Sequence, residues 1–349
     1  MTEEVNLQLE LDDQRKKVDV DNVDVTLREI VRMAYANELI RKPPYQRKFR
    51  WEPHDESRLI ESFYLGLPVP NIFVASNKDG TWELVDGLQR VSTLMHYVAD
   101  PIGMVAAVGK KDPLRLDGLE KLSTFKGKTF ADLPTPVRLS FLKRTLRVTA
   151  LSDKSDLDVR FDMFERLNSG GIVLTQQEIR SCIHAGRFID FLKELGADSN
   201  FASLLKLPKA KQDDGTKEEL VLRFFAYLYD RNKFTASVKD FLNNYVEKAK
   251  AGFDYQEGKP LFENVTRTLM QIVGGVIVRS NGKVTPLNQF ESIMVACAEL
   301  LKDGKKIKKP RPGWMDDESL LSYSSAGTNS RIMLNGRIDR ARELLSGKK

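Results

Sequence analysis

The stretch Trp82–Leu94, which decides the fold, reads Trp-Glu-Leu-Val-Asp-Gly-Leu-Gln-Arg-Val-Ser-Thr-Leu. Its first four residues have strand character, and the turn sequence Asn-Lys-Asp-Gly at 77–80 connects them to an earlier apolar segment, Ile-Phe-Val-Ala at 72–75. The two segments predict a β-hairpin. A helical pattern begins at Gln89 and continues to about Val98. The residues from Asp86 to Arg90 are therefore expected at a strand-to-helix junction.

Such a junction is a candidate anion site, because a glycine allows close backbone approach and the first turn of a helix offers unpaired N–H groups. Here Asp86 can hold a metal-bound or attacking water or stabilise a developing cation, and Gln89 can orient a water or recognise a base edge. Arg90 supplies a planar fork for phosphate or carboxylate. Two simpler interpretations stay open: Asp86-Gly87 can be a plain turn, and Arg90 can merely pair with Asp86.

The surrounding sequence predicts an α+β protein with a small sheet in its N-terminal domain and a mainly α-helical C-terminal domain. Thr-Leu-Arg-Glu at 26–29 is a capping box for a helix that Pro43-Pro44 would end, and Asp55 is the expected cap of the next helix. Residues 143–151 have strand character. Helical patterning dominates from Ile179 onward, with the candidates 218–230, 238–250 and 260–277. We predict an acidic arm at 1–24, a mixed domain at 25–205 and a helical domain at 206–349.

Two further segments carry polar candidates for the same pocket. The first is Tyr45-Gln46-Arg47 with Trp51 close behind, where Arg47 offers a second planar fork and the aromatic rings can stack on a base. The second contains Asn168 before a Gly-Gly turn, and then Thr175, Glu178 and Arg180. Thr175 and Glu178 are sufficiently explained as a capping box, and Arg180 can be a structural arginine paired with Glu178.

The chain has 349 residues and a net charge of +6, which favours a polyanionic partner such as DNA. Basic residues cluster around Tyr45, Phe49 and Trp51, and the predicted DNA surface consists of Arg41, Lys42, Lys48 and Arg50. Basic side chains beside aromatic rings suit phosphate contact with base stacking. A second basic run, KDGKKIKKPR at 302–311, has the same composition, or is simply a solvated loop.

Several protein classes are excluded by the composition. The two cysteines, Cys182 and Cys297, form neither a disulfide framework nor a CxxC metal site, which is typical of a reducing cytoplasm. The acidic N-terminus lacks the plan of a signal peptide, and no apolar run reaches the roughly 20 residues that a membrane span needs. We therefore expect a soluble cytoplasmic protein without a membrane partner.

Taken together, the three polar segments resemble the N-terminal domain of the GmrSD-type modification-dependent restriction enzymes, a ParB/sulfiredoxin-like family of bacterial antiphage systems. The family has a Tyr/Phe-Gln-Arg segment with a nearby tryptophan, then a hairpin that ends in Asp-Gly-Gln-Gln-Arg. A later segment has the pattern F-x-x-x-N-x-x-G-x-x-L-T-x-x-E-x-R. The matching residues here are Tyr45, Gln46, Arg47, Trp51, Asp86, Gly87, Gln89, Arg90, Phe164, Asn168, Gly171, Leu174, Thr175, Glu178 and Arg180. Leu88 replaces the first glutamine, so a role for that amide is not carried over.

The resemblance implies a ParB/sulfiredoxin-like fold over roughly residues 25–230 and a protein that acts on DNA, in particular phage or modified DNA. It implies Asp86, Gln89 and Arg90 as catalytic residues, with Gly87, Ser92, Thr93, Asn168 and Arg180 among the substrate-binding positions. The restriction enzymes also carry an HNH nuclease domain, which needs clustered histidines. His54, His96 and His184 all precede residue 190, so a stand-alone protein without an HNH nuclease is expected.

Three activities stay open for this pocket. The leading one is hydrolysis of a nucleoside triphosphate, with Mg²⁺ or a water on Asp86, although the chain has no Walker-type phosphate loop. The second is glycosylase-like excision of a modified base, which needs no cofactor: Asp86 would stabilise the sugar cation, while Gln89 and Asn168 recognise the base. The third is a sensor of modified DNA or nucleotide that recruits a separately encoded effector.

Overall fold

The computed structural model describes residues 7, 11, 19–41, 49, 51–77, 79–98, 103–152, 161, 175–235, 237–325 and 327–347. The contacts divide the chain into two compact units, residues 1–174 and 175–349. We call them the sheet unit and the helical unit. The domain boundary predicted at residues 205 and 206 lies within the helical unit so defined.

The sheet unit is built from a mixed five-stranded sheet and the helices that pack on it. Its elements are β1 (Val20–Thr26), α1 (Leu27–Tyr35), β2 (Leu39–Ile40), α2 (Pro53–Leu65), β3 (Ile72–Ser76), β4 (Trp82–Asp86), α3 (Leu88–Val98), α4 (Gly103–Ala107), α5 (Thr135–Leu142) and β5 (Thr145–Leu151). The strand order is β1-β5-β3-β4-β2. The β3–β4 and β1–β5 pairs are antiparallel, whereas β5–β3 and β4–β2 are parallel. The predicted hairpin and the predicted strand at 143–151 are confirmed.

Two predicted helix boundaries in this unit are wrong. Helix α1 ends at Tyr35, well before Pro43, because Asn37 adopts a left-handed conformation with φ of 58° and turns the chain into β2. Helix α2 begins at Pro53 with Glu52 as its N-cap residue, so Asp55 lies in the first turn and does not cap the helix. Proline is well suited to the first helical turn, since it has no N–H group to satisfy there.

The helical unit contains only helices and loops among its described residues. Its α-helices are α6 (Gln176–Ile183), α7 (Arg187–Gly196), α8 (Ser199–Leu204), α9 (Thr216–Asp230), α10 (Val238–Gly252), α11 (Tyr255–Val273), α12 (Leu287–Lys302), α13 (Glu318–Ser325) and α14 (Arg331–Ser346). Helices α9, α10 and α11 correspond to the three predicted segments. The prediction of an α+β chain with a helical C-terminal part is confirmed.

Each unit has its own apolar core. In the sheet unit, α1 buries Leu27, Ile30, Val31 and Ala34, which lie on one face at helical spacing, and α3 packs against α1 and α2. Burying such a side chain stabilises a fold by about 1.5–3 kcal/mol. The sheet-unit core therefore fixes α3, and with it the polar residues at the start of α3.

Candidate functional site

The Asp86–Arg90 segment forms the predicted strand-to-helix junction. Strand β4 ends at Asp86 and helix α3 begins at Leu88, with the Val91 N–H donating to the Gly87 carbonyl oxygen at 2.9 Å. Gly87 has a φ of 108°, and a Cβ atom there would lie 2.4 Å from Cγ2 of Ile72. Only glycine fits this conformation and this close approach. The junction thus depends on Gly87 as the sequence predicted.

Asp86 and Arg90 form an ion pair across the junction. Nη2 of Arg90 donates to Oδ2 of Asp86 at 2.6 Å, and the exposed fractions of the two side chains are 15% for Arg90 and 50% for Asp86. Oδ1 of Asp86 and Nη1 of Arg90 have no hydrogen-bond partner among the described residues, and Nε of Arg90 is buried without an acceptor. The pair therefore keeps acceptor and donor capacity beyond its single hydrogen bond.

Gln89 connects the junction to Trp51. The backbone N–H of Trp51 donates to Oε1 of Gln89 at 3.2 Å, and the partly buried Trp51 packs on the core of the sheet unit. Nζ of Lys110 lies 3.5 Å from the Trp51 carbonyl oxygen. The structure thus brings together four of the predicted positions: Trp51, Asp86, Gln89 and Arg90.

Several predicted positions lie outside the described residues: Lys42, Tyr45, Gln46, Arg47, Lys48, Arg50 and Asn168. Their convergence on Asp86 stays a prediction. Arg41, the described member of the predicted DNA surface, is partly buried, and its Nη2 donates to the Ala107 carbonyl oxygen at 3.2 Å. Burial lowers the pKa of Arg41. One Nη group of Arg41 is therefore bound to the end of α4.

Ser92 and Thr93, predicted as substrate-binding residues, are buried in α3. The Thr93 hydroxyl has no hydrogen-bond partner within the described part of the chain, although buried hydroxyls normally have one. Thr93 lies one turn after Arg90, whose Nε likewise lacks a partner among the described residues, so two such buried polar groups lie on neighbouring turns of α3. An unsatisfied buried group costs about 1–3 kcal/mol of stability.

Arg180 lies in α6 of the helical unit and is almost completely buried. Its Nη1 donates to Oε1 of Gln177 at 2.6 Å and its Nε to Oδ1 of Asn243 at 2.9 Å, while Glu219 lies 3.5 Å from Nη1. Burial lowers the pKa of Arg180 to about 10, although the charge of Glu219 opposes that shift. The alternative of a structural arginine describes these contacts, but its carboxylate partner is Glu219 rather than the expected Glu178.

Glu178 is occupied by the capping box that the sequence predicted. The Thr175 side chain accepts from the Glu178 N–H at 3.2 Å, and Oε2 of Glu178 accepts from the Thr175 N–H at 2.6 Å. Both interactions satisfy backbone donors at the start of α6.

A buried ionic cluster next to the site was missed by the sequence reasoning. Nδ1 of His96 lies 2.7 Å from Oε2 of the fully buried Glu56, and Nε2 of His96 lies 2.9 Å from the Asp112 carbonyl oxygen. A carbonyl oxygen only accepts, so Nε2 of His96 is the donor in the second contact. Lys110 lies 3.6 Å from Oε1 of Glu56. His96 is two turns after Gln89 on α3, so this cluster anchors the helix that bears the site.

A signal for Glu56 was present in the sequence. Leu59, Ile60 and Phe63 form the inward face of α2, and Glu56 precedes them at the helical spacing that continues this face. A carboxylate at an inward position requires a cation or hydrogen-bond donors. The partner, His96, is 40 residues away, and no local pattern indicates it.

The comparisons agree with the resemblance of the three motifs. Residues 27–185 match the model of the family described as GmrSD restriction endonuclease, N-terminal domain. No match was found among curated proteins. The described residues include no helix long and apolar enough to cross a membrane, and no group of three or more His, Cys, Asp or Glu side chains that could hold a metal ion.

Proposed function

We propose that this chain is a DNA-acting protein of a restriction-type antiphage system, and that its Asp86–Arg90 junction hydrolyses a nucleoside triphosphate. The match of residues 27–185 to the N-terminal domain of a restriction endonuclease supports the first part. The observation that carries the second part is the ion pair of Asp86 and Arg90, which is half-exposed at Asp86 and leaves Nη1 and Oδ1 available.

The junction suits a phosphate group on its cationic side. The first turn of α3 follows Gly87 directly, so backbone N–H groups and the positive end of the helix dipole lie beside the guanidinium of Arg90. Nη1 of Arg90 would donate to a phosphate oxygen while Nη2 keeps its bond to Asp86. Phosphoryl transfer passes through a loose, charge-spread transition state, which positioned cations stabilise.

The half-exposed Asp86 carboxylate suits the water that attacks the terminal phosphorus. Oδ1 would accept a hydrogen bond from this water and orient it, so that the new P–O bond forms as the bond to the leaving diphosphate breaks. The released products are inorganic phosphate and the diphosphate, and the proton passes to solvent. Mg²⁺ is often held by one or two carboxylates together with substrate phosphates, and if the reaction uses it, Oδ1 of Asp86 would hold the ion in place of the water.

Gln89 has a positioning role in this proposal. Its Oε1 is engaged by the Trp51 N–H, so this oxygen holds the segment before α2 against α3. The Trp51 backbone is thereby kept beside the junction, and its partly buried aromatic ring is the proposed stacking surface. A base of the bound DNA or nucleotide could stack there.

The experiment compares Asp86→Asn with Asp79→Asn, which removes the same charge from the β3–β4 turn of the same unit. Purified full-length variants are incubated with nucleoside triphosphates alone, with plain DNA, and with base-modified DNA. Released phosphate and abasic sites are measured. We expect phosphate release by the wild type and by Asp79→Asn, and a decrease of about two to four orders of magnitude for Asp86→Asn.

Other outcomes would overturn the hydrolase. Abasic sites without phosphate release would indicate excision of a modified base by the same carboxylate. DNA binding without either product would indicate a sensor that recruits a separate effector. Equal phosphate release by Asp86→Asn and wild type would show that Asp86 takes no part in the reaction.

A further inference from the structure

The helical unit contains a second candidate site, a cavity of about 340 Å³ beside the basic run. Its lining includes apolar side chains, Ile272, Val273 and Val276, together with basic and aromatic ones, Lys309, Arg311 and Trp314. This volume falls at the lower end of the range of about 300–1,000 Å³ typical of small-ligand sites. The cavity includes none of the residues proposed for hydrolysis.

The basic segment, residues 306–311, carries cations that are not neutralised. Lys302 pairs with Glu257 at 2.9 Å and Lys305 with Asp303 at 3.3 Å, so the first lysines of the run are paired. By contrast, none of the cationic groups of the basic segment has an ion-pair partner among the described residues: Lys306, Lys308, Lys309 and Arg311. These four side chains are all exposed. A concentrated positive charge of this kind attracts a polyanion.

The basic segment is fixed in place and is not a freely solvated loop. The Lys308 N–H donates to the Leu345 carbonyl oxygen at 2.8 Å, and Ile307 packs on the core of the helical unit. Ile307 therefore points inward while the neighbouring lysines stay exposed. Holding the segment in one conformation reduces the entropy lost when a ligand binds.

Hydrogen bonds also hold the rest of the cavity lining in place. Oδ2 of Asp316 accepts from the Ser280 N–H at 2.9 Å and from its hydroxyl at 2.6 Å. Gln289 connects Arg279 to the Met315 carbonyl oxygen, with hydrogen bonds of 3.0 and 3.2 Å. These bonds fix the turn that presents Trp314 to the cavity.

We propose that this cavity binds an unpaired base of a single-stranded nucleic acid, with its phosphates held by Lys309 and Arg311 and its base against Trp314. Stacking on an aromatic side chain contributes about 1–3 kcal/mol per base. Lys306 and Lys308, earlier in the segment, would contact neighbouring phosphates, which favours a strand over a free nucleotide. A duplex makes phosphate contacts alone and leaves the apolar lining unused.

Asp316 indicates which base edge the cavity prefers. Its hydrogen bonds from Ser280 keep its pKa below the ordinary value, so it is ionised at neutral pH. Its Oδ1 has no partner among the described residues. A carboxylate accepts from the amino group of cytosine but not from the carbonyl oxygen that uracil has at the same position. The cavity should therefore prefer cytosine to uracil.

The test uses the full chain and a fluorescent 20-nucleotide oligo(dC). The variant Lys306→Gln/Lys309→Gln/Arg311→Gln is compared with Lys248→Gln/Lys250→Gln/Lys259→Gln, which removes three lysines already paired with Asp230, Glu247 and Glu194. Losing three phosphate contacts should weaken binding about 10- to 50-fold at 0.15 M salt and reduce the salt slope by about two. The paired-lysine variant should bind like the wild type.

Three results would contradict this proposal. The first is an unchanged affinity of the Lys306/Lys309/Arg311 variant for oligo(dC), and the second is an equal decrease in affinity for both triple variants. The third is that the wild type binds oligo(dC) and its duplex equally well and that the Lys306/Lys309/Arg311 variant loses the same affinity for both. The last would indicate a plain phosphate surface. Oligo(dU) should bind more weakly than oligo(dC), and Asp316→Asn should reduce that difference. Asp86→Asn should retain oligo(dC) binding, so failure of the hydrolase proposal and failure of this site are measured separately.

Discussion

Two carboxylate–guanidinium pairs, one in each unit, differ in how completely their hydrogen-bonding groups are used. In the helical unit, Glu291 and Arg337 are 1% and 3% exposed and lie 2.9 Å apart. Arg223 adds a second bond to Glu291 at 3.1 Å, and Arg337 also donates to the Ser292 hydroxyl and the Thr328 carbonyl oxygen. In the sheet unit, Asp86 and Arg90 share one hydrogen bond, and Asp86 is half-exposed.

This difference in the use of hydrogen-bonding groups distinguishes a structural ion pair, Glu291–Arg337, from a candidate functional one, Asp86–Arg90. The hydrogen-bonding groups of the Glu291 network are satisfied within the protein, so few of them are available to bind a ligand. In the Asp86 pair the carboxylate is exposed, and two buried groups on α3, Nε of Arg90 and the hydroxyl of Thr93, have no hydrogen-bond partner among the described residues. Groups of this kind are common at functional sites.

The largest expected effect is on the buried pair. Arg337→Met would leave Glu291 with Arg223 as its cationic partner and remove three hydrogen bonds. Removing one member of a buried pair typically costs about 3–5 kcal/mol. We expect a loss of this size in the free energy of unfolding, measured by urea denaturation.

Lys302→Met is the matched control, because Lys302 and Glu257 form an exposed pair in the same unit. Its cost should stay within about 1 kcal/mol. Equal effects of the two substitutions would mean that burial does not distinguish the pairs.

Gly87 tests whether the backbone, rather than the ion pair, fixes the Asp86–Arg90 geometry. Gly87→Ala meets Ile72 and must adopt a φ of 108°, and we expect a loss of about 2–4 kcal/mol in the sheet unit. Gly80→Ala separates the two causes, since Gly80 also has a positive φ of 83° but has nothing within 4 Å of its added Cβ. If Gly87→Ala lowers the free energy of unfolding no more than Gly80→Ala does, the Ile72 side chain moves to accommodate the added Cβ atom.

The sequence predicted the local features well because local chemistry determines them. Turn residues at 77–80, Gly87 at the junction and the Thr175–Glu178 capping box each act on neighbouring backbone. The partners of Glu56 and Arg180 were not predictable in this way. His96 and Glu219 lie on other helices, and packing alone brings them into reach. Arg180 does not pair with Glu178, because that carboxylate already accepts from the Thr175 N–H.

Glu61, in the sheet unit, is another buried carboxylate whose partners are distant in sequence. Burial raises the pKa of its carboxyl, but hydrogen bonds from the N–H groups of Lys121, Leu122 and Glu120 outweigh this and hold the pKa below the ordinary value of 4.5. A lowered folded pKa contributes stability that is present above the unfolded pKa and lost as the pH falls through the folded one. Glu61→Gln should therefore cost about 1–2 kcal/mol at pH 7.

The pH dependence distinguishes this effect from simple packing. The stability difference between wild type and Glu61→Gln should shrink as the pH falls below 4.5, in urea unfolding followed from pH 7 to pH 3. Glu120→Gln, which changes an exposed side chain on the same loop, is the matched control for the substitution itself. A difference that stays constant with pH would assign the loss to shape instead of charge.

The smallest expected effect on stability is that of Asp86→Asn, and it is the sharpest test of the comparison. The Asp86–Arg90 pair is partly solvated, and exposed pairs of this kind contribute about 0.2–1 kcal/mol. Asparagine also suits the turn and still accepts a hydrogen bond from Arg90. We therefore expect the unfolding free energy of Asp86→Asn to remain within about 1 kcal/mol of wild type, as for Asp79→Asn, while phosphate release falls by orders of magnitude. A loss of about 3 kcal/mol or more would place Asp86–Arg90 in the same class as Glu291–Arg337. The decrease in activity would then reflect unfolding and would not support a catalytic role for the junction.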